Sequence, residues 1–145
     1  MASKTNTDSI NPLITRATII AGGEILLGNS PPDKDGWEVT LQTLDTEHTI
    51  TPKTITRSNC AISTSGDLYQ AITIDGQRYS HVVDPTTGLG LTRRVSATVI
   101  GPNVTLTDAL ATAFCVNPKL TYQGVETLIV FEQTDGTLKC IRSDK

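Results

Sequence analysis

Three side chains in this sequence have the types and spacing to do chemistry together: His81, Asp108 and Thr112. His81 lies in Tyr79–Gly88 (YSHVVDPTTG), a strand-like run that delivers an imidazole into a polar turn opened by Asp84-Pro85. An imidazole titrates near neutrality, so this one could act as a general base at physiological pH. Equally, a bond to Asp84 could make it no more than a fastener for the turn. Asp108 and Thr112 stand four residues apart in Thr105–Thr112 (TLTDALAT), which puts them on one face of a helix. A carboxylate and a hydroxyl so placed suit a hard divalent cation such as Mg²⁺, which takes oxygen ligands and few carboxylates. The same pair could instead complement a helix N-terminus and bond back to a carbonyl. No P-loop, GxGxxG, HExxH or Ser-His-Asp order competes with this trio.

The elements that must position these residues can be read from pattern. Tyr69–Ile74 and Gln77–Val83 flank Asp75-Gly76, a hairpin signal that places His81 near the end of the second strand. Val95–Ile100 alternates as a buried strand. Thr105-x-x-Asp108 resembles a helix-capping arrangement, and Leu106, Leu110, Ala113 and Phe114 share the face that would pack, with a stop before Pro118. Upstream, Ala17–Ala21 and Glu24–Leu27 are strand-like segments broken by Gly22-Gly23, which marks a tight bend or a close backbone approach to a ligand. Asn29–Gly36 is a turn-rich loop, Trp37–Leu41 a half-exposed strand, and Leu44–Pro52 a polar surface stretch holding His48. Lys53–Arg57 alternates weakly. Asn59–Ser63 reads as a buried strand that Thr64-Ser65-Gly66-Asp67 interrupts, either to turn the chain or to offer hydroxyls and N–H groups to an anion. Lys119–Val125 is expected as a second short helix, Thr127–Phe131 as a buried strand, and Asp135-Gly136 as the turn into Leu138–Ile141.

The totals bound the class. A chain of 145 residues with 37% hydrophobic content is a single-domain length with enough apolar side chains for an ordinary core. At 4% aromatics, that core must be built from Val, Ile, Leu and Ala. The net charge is −3, and the nearest thing to a basic cluster is Arg93-Arg94, so nucleic-acid binding by phosphate neutralisation has no footing. No apolar run approaches the roughly 18 residues of a membrane helix. Cys60, Cys115 and Cys140 show neither a CxxC pair nor metal spacing and read as reduced core residues. The expected fold is α+β, a largely antiparallel sheet with one main helix. Residues 1–14 form a polar, flexible lead-in and residues 15–145 one domain.

Taken in order, the motifs resemble the ApbE-type flavin transferases. SHVVDPTTG (Ser80–Gly88) followed by VSATVIGPNVTLTDALATAF (Val95–Phe114) matches that family's His-aliphatic-aliphatic-Asp-Pro-x-Thr-Gly segment and Asp-Ala-Leu-Ala-Thr helix start. STSGD (Ser63–Asp67) falls on its Thr-Ser-Gly-Asp turn, AGGEI (Ala21–Ile25) on its double glycine, and Trp37 on a tryptophan-bearing strand. Each motif is moderately specific, and four in one order are strong. The chain departs from the pattern at Glu24, where Asp is commoner, and at Ser63, where Ala is usual. The resemblance runs from about Thr15 onward and covers the family's C-terminal half. The Asp-Leu-Gly-Gly-x-Ala-Lys-Gly segment that precedes it in relatives has no counterpart here.

The resemblance implies an FAD:protein FMN transferase: Mg²⁺-dependent cleavage of FAD, release of AMP, and attachment of FMN to a Thr or Ser of an acceptor protein. Some relatives hydrolyse FAD instead. Carried over by position, Asp108 and Thr112 are side-chain metal ligands and His81 is the base. Gly22, Gly23, Ser65, Gly66, Asp84, Thr87 and Gly88 contact the flavin dinucleotide. Two other readings stand beside catalysis: a flavin-binding module without activity, and an assembly unit whose site is completed by a partner chain or a second copy. Family members usually work outside the bacterial cytoplasm, whereas this sequence opens with neither signal peptide nor lipidated cysteine, which leaves the compartment open.

Overall fold

The structure, a computed structural model, describes residues 15–67 and 70–144. Residues 1–14 and Tyr69, the start expected for the first hairpin strand, lie outside the described residues. Ten strands and one helix follow in order: β1 (Thr18–Ala21), β2 (Glu24–Leu27), β3 (Trp37–Thr40), β4 (Thr54–Arg57), β5 (Cys60–Gly66), β6 (Ala71–Ile74), β7 (Gln77–Ser80), β8 (Val95–Gly101), α1 (Val104–Val116), β9 (Glu126–Glu132) and β10 (Leu138–Ser143). Six strands form one sheet in the order β1-β2-β5-β8-β9-β10, antiparallel at every pairing. β3–β4 and β6–β7 are separate two-stranded ribbons. The α+β expectation holds.

Strand alternation divides the core. On β8, Val95, Ala97 and Val99 are all fully buried and join Phe114, Ala111 and Cys115 of α1 in one apolar cluster with Ile129 of β9. Small side chains at Ala97 and Ala111 let the helix approach the sheet closely, and Phe114 fills the space beside them. The opposite sheet face carries Cys60, Ile62 and Ile100, which pack with Val39, Trp37 and Ile55 of the β3–β4 ribbon. The sheet is thus covered by a helix on one face and a ribbon on the other, and each face is apolar for its own partner.

Several local expectations are corrected. β5 does not end at Ser63 but runs on to Gly66, paired with β8 through Gly66↔Ser96. The hydroxyls of Thr64 and Thr98 bond across that ladder at 2.9 Å, so small polar residues extend the strand here and do not interrupt it. The helix is capped by Asn103, two residues before Thr105: its backbone is extended (φ −152°, ψ 155°) and its side chain accepts the Leu106 N–H at 2.9 Å. The buried helix face is Thr107, Ala111, Phe114 and Cys115, while Leu106 and Leu110 pack at its margin. Lys119–Val125 forms turns and no helix. The Leu44–Pro52 stretch is docked, with Leu44, Asp45 and Thr51 buried and the Leu44 N–H donating to Ser96 Oγ at 3.1 Å. Cys60 and Cys115 are buried and Cys140 is half-buried, and none of the three is in a disulfide.

Candidate active site

The site forms where one strand outruns its neighbour. β2 pairs with β5 from Leu27↔Cys60 to Glu24↔Ser63 and then turns away at Gly23-Gly22, where Gly22 has φ +63°. The close approach expected of this glycine pair is to β5: a Cβ on Gly23 would lie 2.9 Å from the Thr64 carbonyl oxygen. Thr64 N–H bonds Gly23 O at 3.2 Å, the last link between the two strands. Antiparallel alternation then aims the N–H and C=O of Gly66 to the same side, where no described strand meets them.

A cleft of about 620 Å³ opens at this step. Gly22, Gly23 and Glu24 line one side, Thr64, Ser65 and Gly66 the floor, Asp108 and Thr112 the helix side, and Gln70 and His81 the far end. Val39, Leu41, Ile20, Ile25 and Ile62 give it an apolar margin, interrupted by Thr40 and Gln42. Asp108 and Thr112 are both exposed on one helix face, and Thr112 Oγ1 lies 3.3 Å from Ser65 Oγ. Thr112 therefore does not bond back to its helix. Thr107 does so instead, donating to carbonyls of the first turn.

His81 is the residue after β7 and is exposed. Its partner is not Asp84. The backbone N–H donates to Gln70 O at 3.1 Å, and Nδ1 lies 3.2 Å from the same oxygen. A carbonyl can only accept, so this contact calls for the proton on Nδ1 and leaves the Nε2 lone pair free. Asp84 is occupied in its own turn, where its carboxylate accepts from the Thr86 hydroxyl at 2.6 Å and the Thr86 N–H at 2.8 Å. Those two bonds hold its carboxyl below the usual carboxylate range. Gly88, with φ +71°, donates to Asp84 O, and Thr87 Oγ1 accepts from Leu89 N–H. Asp84, Thr87 and Gly88 thus shape the turn beyond His81 and are not part of the cleft wall. Cys115 lies behind Ser65, and burial pushes its thiol up to about 11 against the lowering effect of the Ser65 hydrogen bond. It is protonated at neutral pH and is no nucleophile.

Residues that sequence reasoning passed over include Gln70, which holds the imidazole, and Gln42 in the cleft margin. Neither belongs to a motif. Their only signal is proximity once the hairpin and the β3–β4 ribbon are folded.

The ApbE family profile matches residues 11–128. This chain belongs to the ApbE family. Among curated relatives, the FAD:protein FMN transferase of Vibrio cholerae is 36% identical over 96 residues, covering 66% of this chain and 29% of the relative. That of Klebsiella pneumoniae is 31% identical over 130 residues, covering 85% and 37%. Among solved structures, the ApbE protein of Thermotoga maritima superposes with a TM-score of 0.67 at 28% identity, covering 85% of this chain and 41% of that one. The flavin transferase ApbE of Vibrio cholerae gives 0.68 at 29%, covering 90% and 43%. This ApbE-family chain spans about a third of the length of those curated relatives.

Whether the cleft fits a divalent cation depends on its donors. Among the described residues no cluster of three or more His, Cys, Asp or Glu forms a self-contained cage. Asp108 and Thr112 offer one carboxylate and one hydroxyl at the cleft wall. That set suits Mg²⁺, which is commonly held by one or two carboxylates together with substrate phosphate oxygens and water.

Proposed function

We propose that this chain forms the FAD-facing wall of a flavin transferase site, in which FAD is cleaved and FMN passes to a Thr or Ser hydroxyl of an acceptor protein. The observation that carries this reading is the convergence of His81, Asp108, Thr112, Ser65-Gly66 and Gly22-Gly23 on one cleft. Among the described residues the lining holds the carboxylates of Glu24 and Asp108, one imidazole and no Lys or Arg. A pyrophosphate next to two carboxylates requires a cation between them, and Mg²⁺ bound through Asp108 and Thr112 would supply that charge neutralisation.

The chain's own residues account for the rest. The free Nε2 of His81 takes the proton of the acceptor hydroxyl as its oxygen bonds the FMN phosphorus. The phosphorus–oxygen bond to the adenylate breaks, and AMP departs with the bridging oxygen. Gly66 and the Gly22-Gly23 bend present backbone with no side chain in the way, so a dinucleotide can approach the floor closely. Positioning and electrostatics supply most of the catalysis in such a displacement.

The test is to incubate the chain with FAD, Mg²⁺ and a Thr-bearing acceptor and to measure AMP release and covalent flavin. AMP and flavinylated acceptor are expected, with both reduced to a slow but measurable residual rate in His81→Ala and the Mg²⁺ response lost in Asp108→Ala. AMP with free FMN and no labelled acceptor would make the chain an FAD hydrolase. FAD binding without AMP at any metal concentration, with or without the remainder of a relative added, would overturn the transferase reading in favour of a binding module. The coverage of about a third of each curated relative favours one variation on this reading: a second wall contributed by further polypeptide or by another copy. Activity restored by adding the remainder of a relative would establish it.

A further inference from the structure

We infer that Asp67 and Arg78 position His81, acting as a charged tether between the cleft floor and the hairpin that carries the imidazole. This rests on the transferase reading for its activity readout.

Asp67 follows Gly66 directly and is fully buried. Gly66 has φ +147°, and a Cβ there would lie 2.4 Å from Val95 O, so only glycine lets the chain fold inward at this point. The inward course lets Asp67 N–H bond Val95 O at 3.1 Å, and its Oδ1 receives the Val95 N–H at 3.4 Å. The remaining carboxylate oxygen meets Arg78 Nη1, and Arg78 Nη2 donates to the Asp67 carbonyl at 2.7 Å. One guanidinium therefore grips both the side chain and the backbone of the same residue, which a lysine cannot reproduce.

The placement matters for the cleft. Asp67 continues the Ser65-Gly66 floor, and Arg78 lies three residues before His81 on β7. The β6–β7 ribbon shares no strand pairing with the main sheet. Among the described residues only two ion pairs occur, and this is the one that joins that ribbon to the sheet. On the other side of His81, Val82 is buried in the helix-side core. The imidazole is held from both flanks, by an apolar anchor after it and by a charged one before it. Losing Arg78 leaves the Val82 anchor intact, so the fold survives while the ribbon's angle relaxes.

Arg78→Gln in the full chain is expected to lower kcat for FMN transfer about 10- to 100-fold, the scale of a misplacement near 1 Å, with KM for FAD within about threefold. In a His81→Ala background the same substitution should produce no further loss, because its effect runs through the imidazole. A purely structural role would multiply the two losses. Because Arg78→Gln strands a buried carboxylate, the double variant Asp67→Asn/Arg78→Gln serves as a second probe, expected to recover thermal stability but not kcat. Unchanged kcat, multiplying losses, or kcat recovered along with stability would each overturn the inference. If the unaltered chain releases no AMP either alone or with the remainder of a relative added, the transferase reading falls, and positioning is then decided by NMR. The nuclear Overhauser contact between the His81 ring and Gln70 should be lost in Arg78→Gln, and its persistence at wild-type strength would refute the tether.

Discussion

Asp45→Ala should cost this protein about 3 kcal/mol at neutral pH, although Asp45 touches no part of the cleft. Its carboxylate is 2% exposed and accepts five hydrogen bonds from the loop that follows it. Thr49 N–H and Oγ1 reach Oδ1 at 3.0 Å each, Ile50 and Thr51 N–H reach Oδ2 at 2.8 Å, and Thr51 Oγ1 does so at 2.9 Å. Thr49 and Ile50 are exposed, so their donors can turn to water when the carboxylate is removed. Thr51 is buried: its N–H cannot, while its hydroxyl can turn to Thr43 Oγ1 or His48 Nδ1, each 3.3 Å away. The one stranded donor, the Thr51 N–H, at about 1.5 kcal/mol, and the exchange of the other four charge-assisted bonds for weaker ones to water or neutral groups, together about 1.5 kcal/mol, give the figure. On a domain of this size it corresponds to a fall in Tm of about 10 °C. Burial alone would raise the Asp45 carboxyl, but bonds from the Ile50 and Thr49 backbone and the Thr51 and Thr49 hydroxyls outweigh it and hold the group well below its ordinary 3.8. With the folded value depressed, the stabilisation is whole above pH 3.8, where the unfolded carboxyl ionises, and is lost as pH falls below that toward the folded value. Urea denaturation at pH 7 and pH 3 measures both effects. Asp45→Asn keeps one acceptor oxygen and should lose about half as much at pH 7, with the same flattened pH dependence. A variant within about 1 kcal/mol of the parent at pH 7, or one that keeps its acid sensitivity, would refute the reasoning.

Two further substitutions probe the elements around the cleft. Gly66→Ala places a Cβ 2.4 Å from Val95 O and 2.7 Å from Ser96 Cα at a backbone φ of +147°. A loss of about 2–4 kcal/mol is expected, together with weakened FAD binding by flavin fluorescence, and a near-neutral variant would show that the strand end relaxes. Asn103→Ala should cost about 1 kcal/mol in chemical denaturation whereas Thr105→Ala costs little, and the reverse order would return the cap to Thr105.

The sheet was legible because its strands alternate or run apolar: Val95–Ile100 and Thr127–Phe131 declare themselves, and Asp75-Gly76 sets its hairpin through positive φ at both residues. The trio His81, Asp108 and Thr112 was legible as chemistry but not as a site, since bringing a hairpin end to a helix face depends on pairings some thirty residues apart. Asp45 escaped notice for a different reason. Its partners are mostly backbone N–H groups, and these leave no trace in residue types, so the nine-residue stretch Leu44–Pro52 reads as polar surface. Lys119–Val125 was misread as a helix because Pro118 and Gly124 frame it like one. Seven residues with no apolar stripe to bury are too few to hold a helix. At the cap, Asn103 and Thr105 are both suitable residue types, and only the extended backbone at Asn103 decides between them.

Ser63 and Thr107 meet inside the protein, 1% and 0% exposed, with their hydroxyls 2.8 Å apart. Thr107 already donates to carbonyls of its own helix, so Ser63 is the donor in this contact. The bond works as an index mark between helix and sheet. Ser65 stands two residues along β5 and Asp108 one residue along α1, so any slip of the helix along its axis breaks the bond and carries Asp108 and Thr112 off the cleft together. A helix packed only by aliphatic side chains could settle a fraction of a turn away at little cost. The index is read by a proton as well as by shape, and the cleft-lining pair inherits its register from a bond that never touches solvent.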